Sequence, residues 1–174
     1  MEGCLKGRRV KLCRPTLSKI KQANNLLGII NTKEPAPVNK FFWTLEDFKC
    51  LYRSEEKFFL VSFINKPAVI GYVSLNSRNI FEIALSKENR HKGVGVEASL
   101  LLFDFLFNKN PSVSEIYTFI HARNKYSLKC ALSFGWIKSA GNELADWEKH
   151  ELRRGDYNSS TKIKRWRERL IGDK

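Results

Sequence analysis

The chain has 174 residues and a mass of 20.2 kDa, with 43% hydrophobic and 12% aromatic residues but only 10 glycines and 5 prolines. This length suits one domain, and the composition can fill a hydrophobic core, which excludes collagen-like, low-complexity and disordered chains. No apolar run approaches the roughly 18 residues that cross a bilayer, and the basic N-terminus lacks the apolar stretch of a secretory signal. We expect a cytoplasmic protein without membrane contact.

The net charge of +13 is concentrated at the two ends of the chain. Residues 1–22 carry seven basic residues against one acidic residue, and residues 153–174 carry eight against three, whereas residues 23–152 sum to only +2. Clustered lysines and arginines can bind nucleic acid, because they release counterions from phosphates. The alternative is a solvated basic surface that keeps the protein soluble and attracts an anionic ligand.

The cysteine and histidine pattern predicts neither a metal site nor a disulfide framework. Cys4, Cys13, Cys50 and Cys130 are scattered, with no CxxC pair and no histidine at metal-ligand spacing. A core this apolar needs no covalent crosslink, so we expect reduced thiols that act as small buried hydrophobic groups.

The first half of the chain predicts a strand, two helices and then an antiparallel meander. Residues 10–14 alternate like a short strand that Pro15 ends, and Thr16 caps a helix over 16–27. A loop with two prolines separates this helix from a second one over 44–53. Three strand-like runs follow, over 57–64, 69–75 and 79–85, joined by short turn sequences that indicate hairpins.

The second half predicts two further helix–strand units. A glycine-bearing loop over 87–95 leads into a helix over 96–107 that is apolar on nearly every side and must be buried against a sheet. A strand over 116–121, a helix over 124–134 and strands over 136–138 and 144–152 follow. The order β-α-α-β-β-β-α-β-α-β-β predicts an α/β (α+β) fold with a mixed sheet and helices on both faces.

An added C-terminal helix is predicted over 160–171, with Ile163, Trp166 and Leu170 on one face and basic residues on the others. We therefore divide the chain into a main domain over 1–157 and a basic tail over 158–174. The first strand is expected at one edge of the sheet and the last strands toward the opposite edge. This arrangement predicts two separate basic patches rather than one.

The most informative segment is the run Arg90-His91-Lys92-Gly93-Val94-Gly95, between a strand and the buried helix. Its glycines let the backbone approach a ligand closely, and the N–H groups of the first helical turn have no intrahelical partner. Together with the helix dipole they form an anion site suited to a pyrophosphate. The run is neither a P-loop, since no GK[ST] follows, nor a G-x-G-x-x-G dinucleotide turn.

This run resembles the (Q/R)-x-x-G-x-(G/A) acetyl-CoA motif of the GNAT N-acetyltransferase superfamily, here Arg90-x-x-Gly93-x-Gly95. A second segment is similar to that family's N-x-x-(A/S) helix start and the glycine–aromatic pair after it, here Asn124-Lys125-Tyr126-Ser127 and Phe134-Gly135-Trp136. The predicted element order also matches the family from about residue 10 to residue 152. The helix start GVGVEA looks closest to the branch that acetylates ribosomal-protein N-termini, polyamines and amino sugars.

The resemblance implies acetyl-CoA as a co-substrate, no metal, and a set of cofactor contacts. The backbone groups of Ala84, Leu85 and Ser86 match positions that pair with the pantetheine arm. The pyrophosphate cradle is implied at Arg90, His91, Lys92, Gly93, Val94 and Gly95. At the start of the helix over 124–134, the resemblance implies a cofactor contact at Asn124, with Ser127 and Lys129 nearby. Asn124 is also an ordinary helix N-cap.

Two residues are candidates for catalysis. Glu82 precedes the cofactor segment among apolar neighbours, which raise the pKa of a carboxyl and suit it to accept a proton from an ammonium; the alternative is a solvated strand face. His121 ends the opposing strand and could titrate near neutral pH, or it is an ordinary loop histidine. Where many relatives have a tyrosine acid, this chain has Ala131. Either the thiolate leaves without a protein acid, or Ser127, Cys130 or a water molecule supplies the proton.

The function implied is transfer of an acetyl group from acetyl-CoA to a primary amine by direct attack in a ternary complex. A protein N-terminus, a polyamine, an amino sugar and a nucleic-acid-linked amine all remain open as acceptors. The alternative is a catalytically weak binding module of the same shape for nucleic acid or a ribonucleoprotein, contacted through the basic termini. The oligomeric state also stays open, since homodimers are common in this family. The resemblance implies an acceptor pocket built by residues 26–53 and 139–147. Its candidate aromatics could stack on an acceptor or belong to the core: Phe41, Phe42, Trp43, Tyr52 and Trp147.

Overall fold

A computed structural model describes residues 4–16, 57–139 and 146–172 of the chain. The two helices predicted over 16–27 and 44–53 lie outside these residues, apart from Thr16, as do Cys50 and four of the five candidate acceptor-pocket aromatics. The described residues form eight strands and four α-helices, and the chain order is β1 (Leu5–Lys6), β2 (Val10–Cys13), β3 (Lys57–Phe63), β4 (Val69–Leu75), β5 (Phe81–Leu85), α1 (Val94–Lys109), β6 (Glu115–His121), α2 (Lys125–Ser133), β7 (Ile137–Lys138), β8 (Trp147–Arg153), α3 (Arg154–Ser159) and α4 (Thr161–Leu170).

Two antiparallel sheets carry the fold. The first has the order β1-β2-β3-β4-β5, and the second has the order β6-β8-β7. One parallel bridge, between Ile80 and Tyr117, joins them, and there the Tyr117 N–H donates to the Asn79 carbonyl at 2.8 Å. The predicted α/β (α+β) fold is therefore confirmed, but the expected mixed sheet is divided into two antiparallel sheets, and this bridge is the parallel pairing among residues 4–16, 57–139 and 146–172. Strand β4, between β3 and β5, is buried along its whole length, because its VIGYVSL sequence is largely apolar on both faces.

Helix α1 forms the centre of the core, as its sequence predicts. It packs across β1, β2, β4 and β5, and ten of its sixteen residues are buried. The Phe103 ring lies 4.9 Å from that of Phe81 on β5 and 5.9 Å from that of Trp136, with edge-to-face geometry in both pairs. The helix begins at Val94, two residues earlier than the hydrophobic pattern indicates.

The C-terminal segment returns over α1. The pattern missed helix α3, whose Tyr157 is fully buried against Phe103 and Phe107. The Tyr157 hydroxyl donates to the Asp104 carboxylate at 3.0 Å, and the Arg167 Nε donates to the same oxygen at 2.6 Å. Burial, with a contribution from Asp104, raises the pKa of Tyr157, so the hydroxyl keeps its proton and remains a donor.

Helix α4 docks through the predicted apolar stripe. Ile163 is fully buried, and the Trp166 ring lies edge-on against Phe134 at 5.0 Å. Ser160 caps the helix, since its side chain accepts the Ile163 N–H.

The prediction of two separate basic patches is wrong. Strands β1 and β8 do lie in different sheets, but α3 and α4 carry the chain back across α1 to the β1–β2 turn. There the Arg8 N–H donates to the Leu170 carbonyl at 3.0 Å, and the Arg8 guanidinium donates to the Glu168 carbonyl at 3.1 Å. The two basic ends of the chain therefore meet.

The expectation of reduced thiols is also wrong for two of the cysteines. Cys4 and Cys13 form a disulfide across the β1–β2 hairpin, with their Cα atoms 4.3 Å apart. Leu5 pairs with Leu12, so Cys4 and Cys13 stand directly opposite each other, where a bond can form. The short strand β1 was not predicted, and without it this proximity is not visible in the sequence. Cys130 is a free thiol.

The docking of α4 predicts a clear contrast between two neighbouring residues. Because Ile163 is fully buried and Lys164 is exposed, Ile163→Ala should lower the free energy of unfolding by about 3 kcal/mol, and Lys164→Ala should change it by less than about 0.5 kcal/mol. Urea denaturation measures both. Equal losses for the two variants would show that α4 does not pack on the domain in solution.

Candidate active site

The two sheets part beyond the Ile80–Tyr117 bridge, and we call the gap between β5 and β6 the cleft. Counting four residues past the bridge on each strand reaches Ala84 on β5 and His121 on β6. No described strand pairs with the outer edge of β5 along the cleft. Backbone groups on that edge are therefore open to a ligand.

The register of β5 on β4 shows which backbone groups these are. The Ser86 N–H donates to the Ile70 carbonyl at 2.9 Å, and the Asn76 N–H donates to the Ile80 carbonyl at 3.1 Å. Because hydrogen-bonded pairs alternate along an antiparallel ladder, the even-numbered residues of this strand bond to β4. Ile83 and Leu85 consequently direct their N–H groups to the cleft.

This alternation along β5 changes which residues can contact a pantetheine arm through their backbone groups. The backbone groups of Ala84 pair with Tyr72, and the Ser86 carbonyl accepts the Asn89 N–H, so neither residue offers a free group. Leu85 offers its N–H, while the guanidinium of Arg90 occupies its carbonyl at 2.9 Å. Ile83, which sequence reasoning missed, offers both its N–H and its carbonyl. Only the pairing register reveals this.

The N-terminus of α1 faces the same end of β5. Glu97 is the first residue whose N–H bonds within the helix, to the Gly93 carbonyl at 3.1 Å. The N–H groups of Val94, Gly95 and Val96 precede it and have no intrahelical partner. A Cβ on Gly95 would lie 3.4 Å from the Leu85 side chain, so the helix start sits directly against β5.

The loop before α1 adopts the conformation that its glycine predicts. Gly93 has φ +75° and His91 has φ +60°, both in the left-handed region. The His91 ring contacts the ring of Tyr126 on α2 edge-to-face at 4.1 Å. His91 and Tyr126 thereby join the candidate pyrophosphate loop to α2, while Lys92 is exposed beside them.

A buried carboxylate holds this loop in place, and sequence reasoning missed it. Glu97 is fully buried, and its oxygens accept the Arg9 N–H at 2.7 Å, the Val10 N–H at 3.1 Å and the Arg9 Nε at 2.8 Å. The guanidinium of Arg9 also donates to the Lys92 carbonyl at 2.9 Å. An acidic residue in the otherwise apolar first turn of this helix is the sequence signal that could have identified it.

Asn124, the candidate cofactor contact after β6, is the N-cap of α2. Its Oδ1 accepts the Ser127 N–H at 3.1 Å, which confirms the capping role. Ser127 is half-buried beside it, and Lys129, two residues later in the helix, is exposed.

The two catalytic candidates lie on the two strands that border the cleft. Glu82 is half-buried opposite Ser74, two residues past the bridge. Its neighbours Ile83 and Leu85 face α1, so the Glu82 side chain lies on the other face of the sheet. His121 is buried beside the Trp147 ring at 5.4 Å, and its Nδ1 accepts the Arg123 N–H at 3.1 Å.

The hydrogen bond at His121 determines which proton transfer this residue can perform. When Nδ1 accepts, the neutral ring carries its proton on Nε2, and Nε2 is a donor. With a donor N–H on Nε2, His121 can orient a substrate by donating to one of its oxygens. Glu82 is therefore the better candidate for the base.

The position of the usual tyrosine acid holds a buried alanine, Ala131. The nearest exposed tyrosine on this helix is Tyr126, whose pKa is raised by burial and by the thiol of Cys130 one turn away. Tyr126 contacts His91 and therefore lies near the His91 end of the cleft, where its hydroxyl keeps its proton at neutral pH.

In the described part of the chain, no three His, Cys, Asp or Glu side chains are placed to hold a metal ion. Within the same residues no helix has the length and apolar character to cross a membrane.

The Glu97 contacts generate a stability prediction. In Glu97→Gln the amide nitrogen would face backbone donors, and one buried acceptor would be lost. We expect the free energy of unfolding to fall by about 2–3 kcal/mol, since Arg9 is partly exposed to water. The exposed Glu168→Gln is the matched control and should stay within about 0.5 kcal/mol of the wild type. Chemical denaturation measures both, and indistinguishable values would contradict the assigned role of Glu97.

Comparison with solved structures identifies the fold. The structure is similar to a GNAT-family acetyltransferase from Bacillus anthracis, with a TM-score of 0.68 and 15% identity over 88% of this chain and 99% of that one. It is similar to the ribosomal-protein-S5-alanine acetyltransferase from Vibrio fischeri, with a TM-score of 0.69 and 19% identity over 89% and 98% of the two chains.

A third similar structure is the microcin C7 self-immunity acetyltransferase MccE, solved with acetyl-CoA and AMP, with a TM-score of 0.64 and 15% identity over 84% and 93% of the chains. Neither a protein-family model nor a curated protein sequence matches this chain. The structural likeness covers most of both chains in each pair. This chain therefore has the fold of the GNAT acetyltransferases.

Proposed function

We propose that the protein transfers an acetyl group from acetyl-CoA to a primary amine. The observation that carries this proposal is that, in one cleft, an edge of β5 left unpaired by every described strand meets the first N–H groups of α1, which lack intrahelical partners. The solved neighbours with the same fold are acetyltransferases, and one of them holds acetyl-CoA.

The residues present fit acetyl-CoA in two separate ways. The N–H and carbonyl of Ile83 and the N–H of Leu85 offer strand-like hydrogen bonds to the amides of a pantetheine arm. The N–H groups of Val94, Gly95 and Val96 suit the oxygens of a pyrophosphate, with the positive end of the helix dipole behind them.

The surrounding side chains favour the same ligand. Arg90 and Lys92 add positive charge at the mouth of the cleft, and His91 and Tyr126 close the loop against α2. Asn124, Ser127 and Lys129 are the candidates for cofactor contacts near the start of α2.

Acetyl-CoA supplies an acetyl thioester, whose carbonyl carbon is open to attack by a neutral amine. Glu82 accepts a proton from the acceptor's ammonium group and so provides the nucleophile. The amine nitrogen bonds to the carbonyl carbon, the carbon–sulfur bond breaks, and the thiolate takes up one proton. The second proton of the nitrogen passes to solvent.

The N–H on His121 Nε2 orients the acceptor from the β6 side. Because Ala131 cannot donate a proton, the thiolate of CoA receives its proton from water or from Ser127 or Cys130.

The acceptor approaches from the face of the sheet opposite α1, where the Glu82 side chain lies. A carboxylate on this face favours a cationic amine over a neutral nucleophile such as a hydroxyl. A protein N-terminus, a polyamine and an amino sugar all meet this requirement. A panel of such amines, with CoA release as the readout, identifies the class, and a chain that binds no acetyl-CoA at millimolar concentration would contradict the proposal.

Cofactor binding should depend on Gly93. Its φ of +75° strains any side chain, and a Cβ there would lie 3.2 Å from the guanidinium of Arg9. We expect Gly93→Ala to weaken acetyl-CoA binding about tenfold, equivalent to about 1.4 kcal/mol, as measured by calorimetric titration.

The matched control is Gly135→Ala, which has the same strain at φ +81° but meets no atom within 4 Å and lies at the other end of α2. This variant should bind acetyl-CoA as the wild type does. Equal binding by Gly93→Ala and the wild type would exclude the loop as the cofactor cradle.

Glu82→Gln should separate catalysis from cofactor binding. We expect kcat to fall by about 10²-fold or more, since proton transfer contributes about that much, while the Kd of acetyl-CoA stays unchanged. Unchanged kcat in the variant would assign the base to another group.

A further inference from the structure

The two ends of the chain build one surface that neither the fold nor the proposed reaction requires. Five exposed cations lie on the β1–β2 turn, the β3–β4 turn and α4, and we call them together the basic surface: Arg8, Lys66, Lys162, Arg165 and Arg169. Arg8 links the parts, because its backbone and side chain both bond to carbonyls in the last turn of α4.

Other cations near the two ends have structural roles and do not belong to this surface. Arg9 is paired with Glu97, and Arg167 is paired with Asp104. The Arg154 guanidinium donates to three main-chain carbonyls, those of Asn110, Pro111 and Val113. By contrast, no described carboxylate forms a salt bridge with Arg165 or Arg169.

The cations on α4 form a stripe. Lys162, Arg165 and Arg169 follow the spacing i, i+3, i+7, which places them along one side of the helix. The single acidic residue of this helix, Glu168, lies one turn from both Lys164 and Arg165 and borders the stripe. A row of three cations beside one carboxylate keeps a net positive charge, which suits a repeating anion.

A depression beside Arg8 adds a second kind of contact. It has a volume of about 320 Å³ and is lined by Arg8, Arg9, Lys66 and the segment Phe63-Ile64-Asn65. Arg8 and Lys66 therefore border a depression whose lining also includes an aromatic residue, Phe63, and an aliphatic one, Ile64. An aromatic group beside backbone-binding cations is how proteins hold unpaired bases between phosphates.

We propose that the basic surface binds the phosphodiester backbone of a single-stranded nucleic acid, with one base in the depression beside Arg8. The row of charges on α4 matches successive phosphates, and the apolar floor matches an unstacked base. A lipid surface would match the charges but has no planar group for the depression. This site is additional to the cleft, although both lie at the end of the first sheet that carries the β1–β2 turn, the β3–β4 turn and the loop before α1.

The test measures fluorescence anisotropy of a labelled oligouridylate with the full chain. If all five cations contact phosphates, log K should fall with log salt with a slope of about −3.5. Arg165→Gln/Arg169→Gln should weaken binding on the order of tenfold or more at about 50 mM salt and reduce the slope to about −2.

The matched control is Arg78→Gln/Lys109→Gln, which removes two exposed charges outside the basic surface. It should bind within about threefold of the wild type, since general charge alone contributes little at this salt. Equal losses for the two double variants would overturn the proposal, because net charge would then explain the binding. Circular dichroism and thermal unfolding should show both variants folded.

Two further measurements distinguish a nucleic-acid site from a site for the cofactor's phosphates and from a lipid-binding surface. Saturating CoA should leave the oligouridylate affinity nearly unchanged, and full competition would show that the surface serves only the cofactor's phosphates. Vesicles of phosphatidylserine and phosphatidylcholine should bind more weakly than the oligouridylate. Equal or tighter binding to the vesicles would assign the surface to lipid and overturn the proposal.

Discussion

The buried carboxylate of Glu97 determines where the start of α1 lies. An apolar helix has no intrinsic reason to place its first turn at one point along a sheet, because hydrophobic contact is not directional. Three N–H groups from Arg9 and Val10 converge on this carboxylate, and leaving them unpaired in the interior would be costly. The helix start, and the loop that precedes it, are thereby fixed against the β1–β2 hairpin.

A second carboxylate on the same helix organises the opposite end of the chain. Asp104 accepts from Tyr157 and Arg167, which holds α3 and α4 on the outer side of α1. The last turn of α4 then reaches Arg8, in the hairpin that Glu97 anchors and that the Cys4–Cys13 disulfide crosslinks. The candidate cofactor loop and the basic surface therefore depend on two acidic residues in one apolar helix.

Local sequence predicted most elements of the described fold but few of its long-range contacts. Strand β4 and helix α1 were predictable because their hydrophobic patterns are long and uninterrupted, and the glycines of the loop before α1 indicated the anion site. The disulfide, the short helix α3 and the contact of Arg8 with α4 were not predictable, since each depends on residues distant in sequence or on very short elements. The free backbone groups of Ile83 required the pairing register, which hydrophobic alternation alone does not give.

Amide chemical shifts of the ¹⁵N-labelled protein can show whether the edge of β5 and the start of α1 together bind acetyl-CoA. On addition of acetyl-CoA, we expect large shifts for the amides of Ile83, Leu85, Gly95 and Val96, and smaller ones for Ala84, whose N–H bonds to β4. No shift along β5, or shifts confined to the β1–β2 side of the sheet, would show that this cleft does not hold the cofactor.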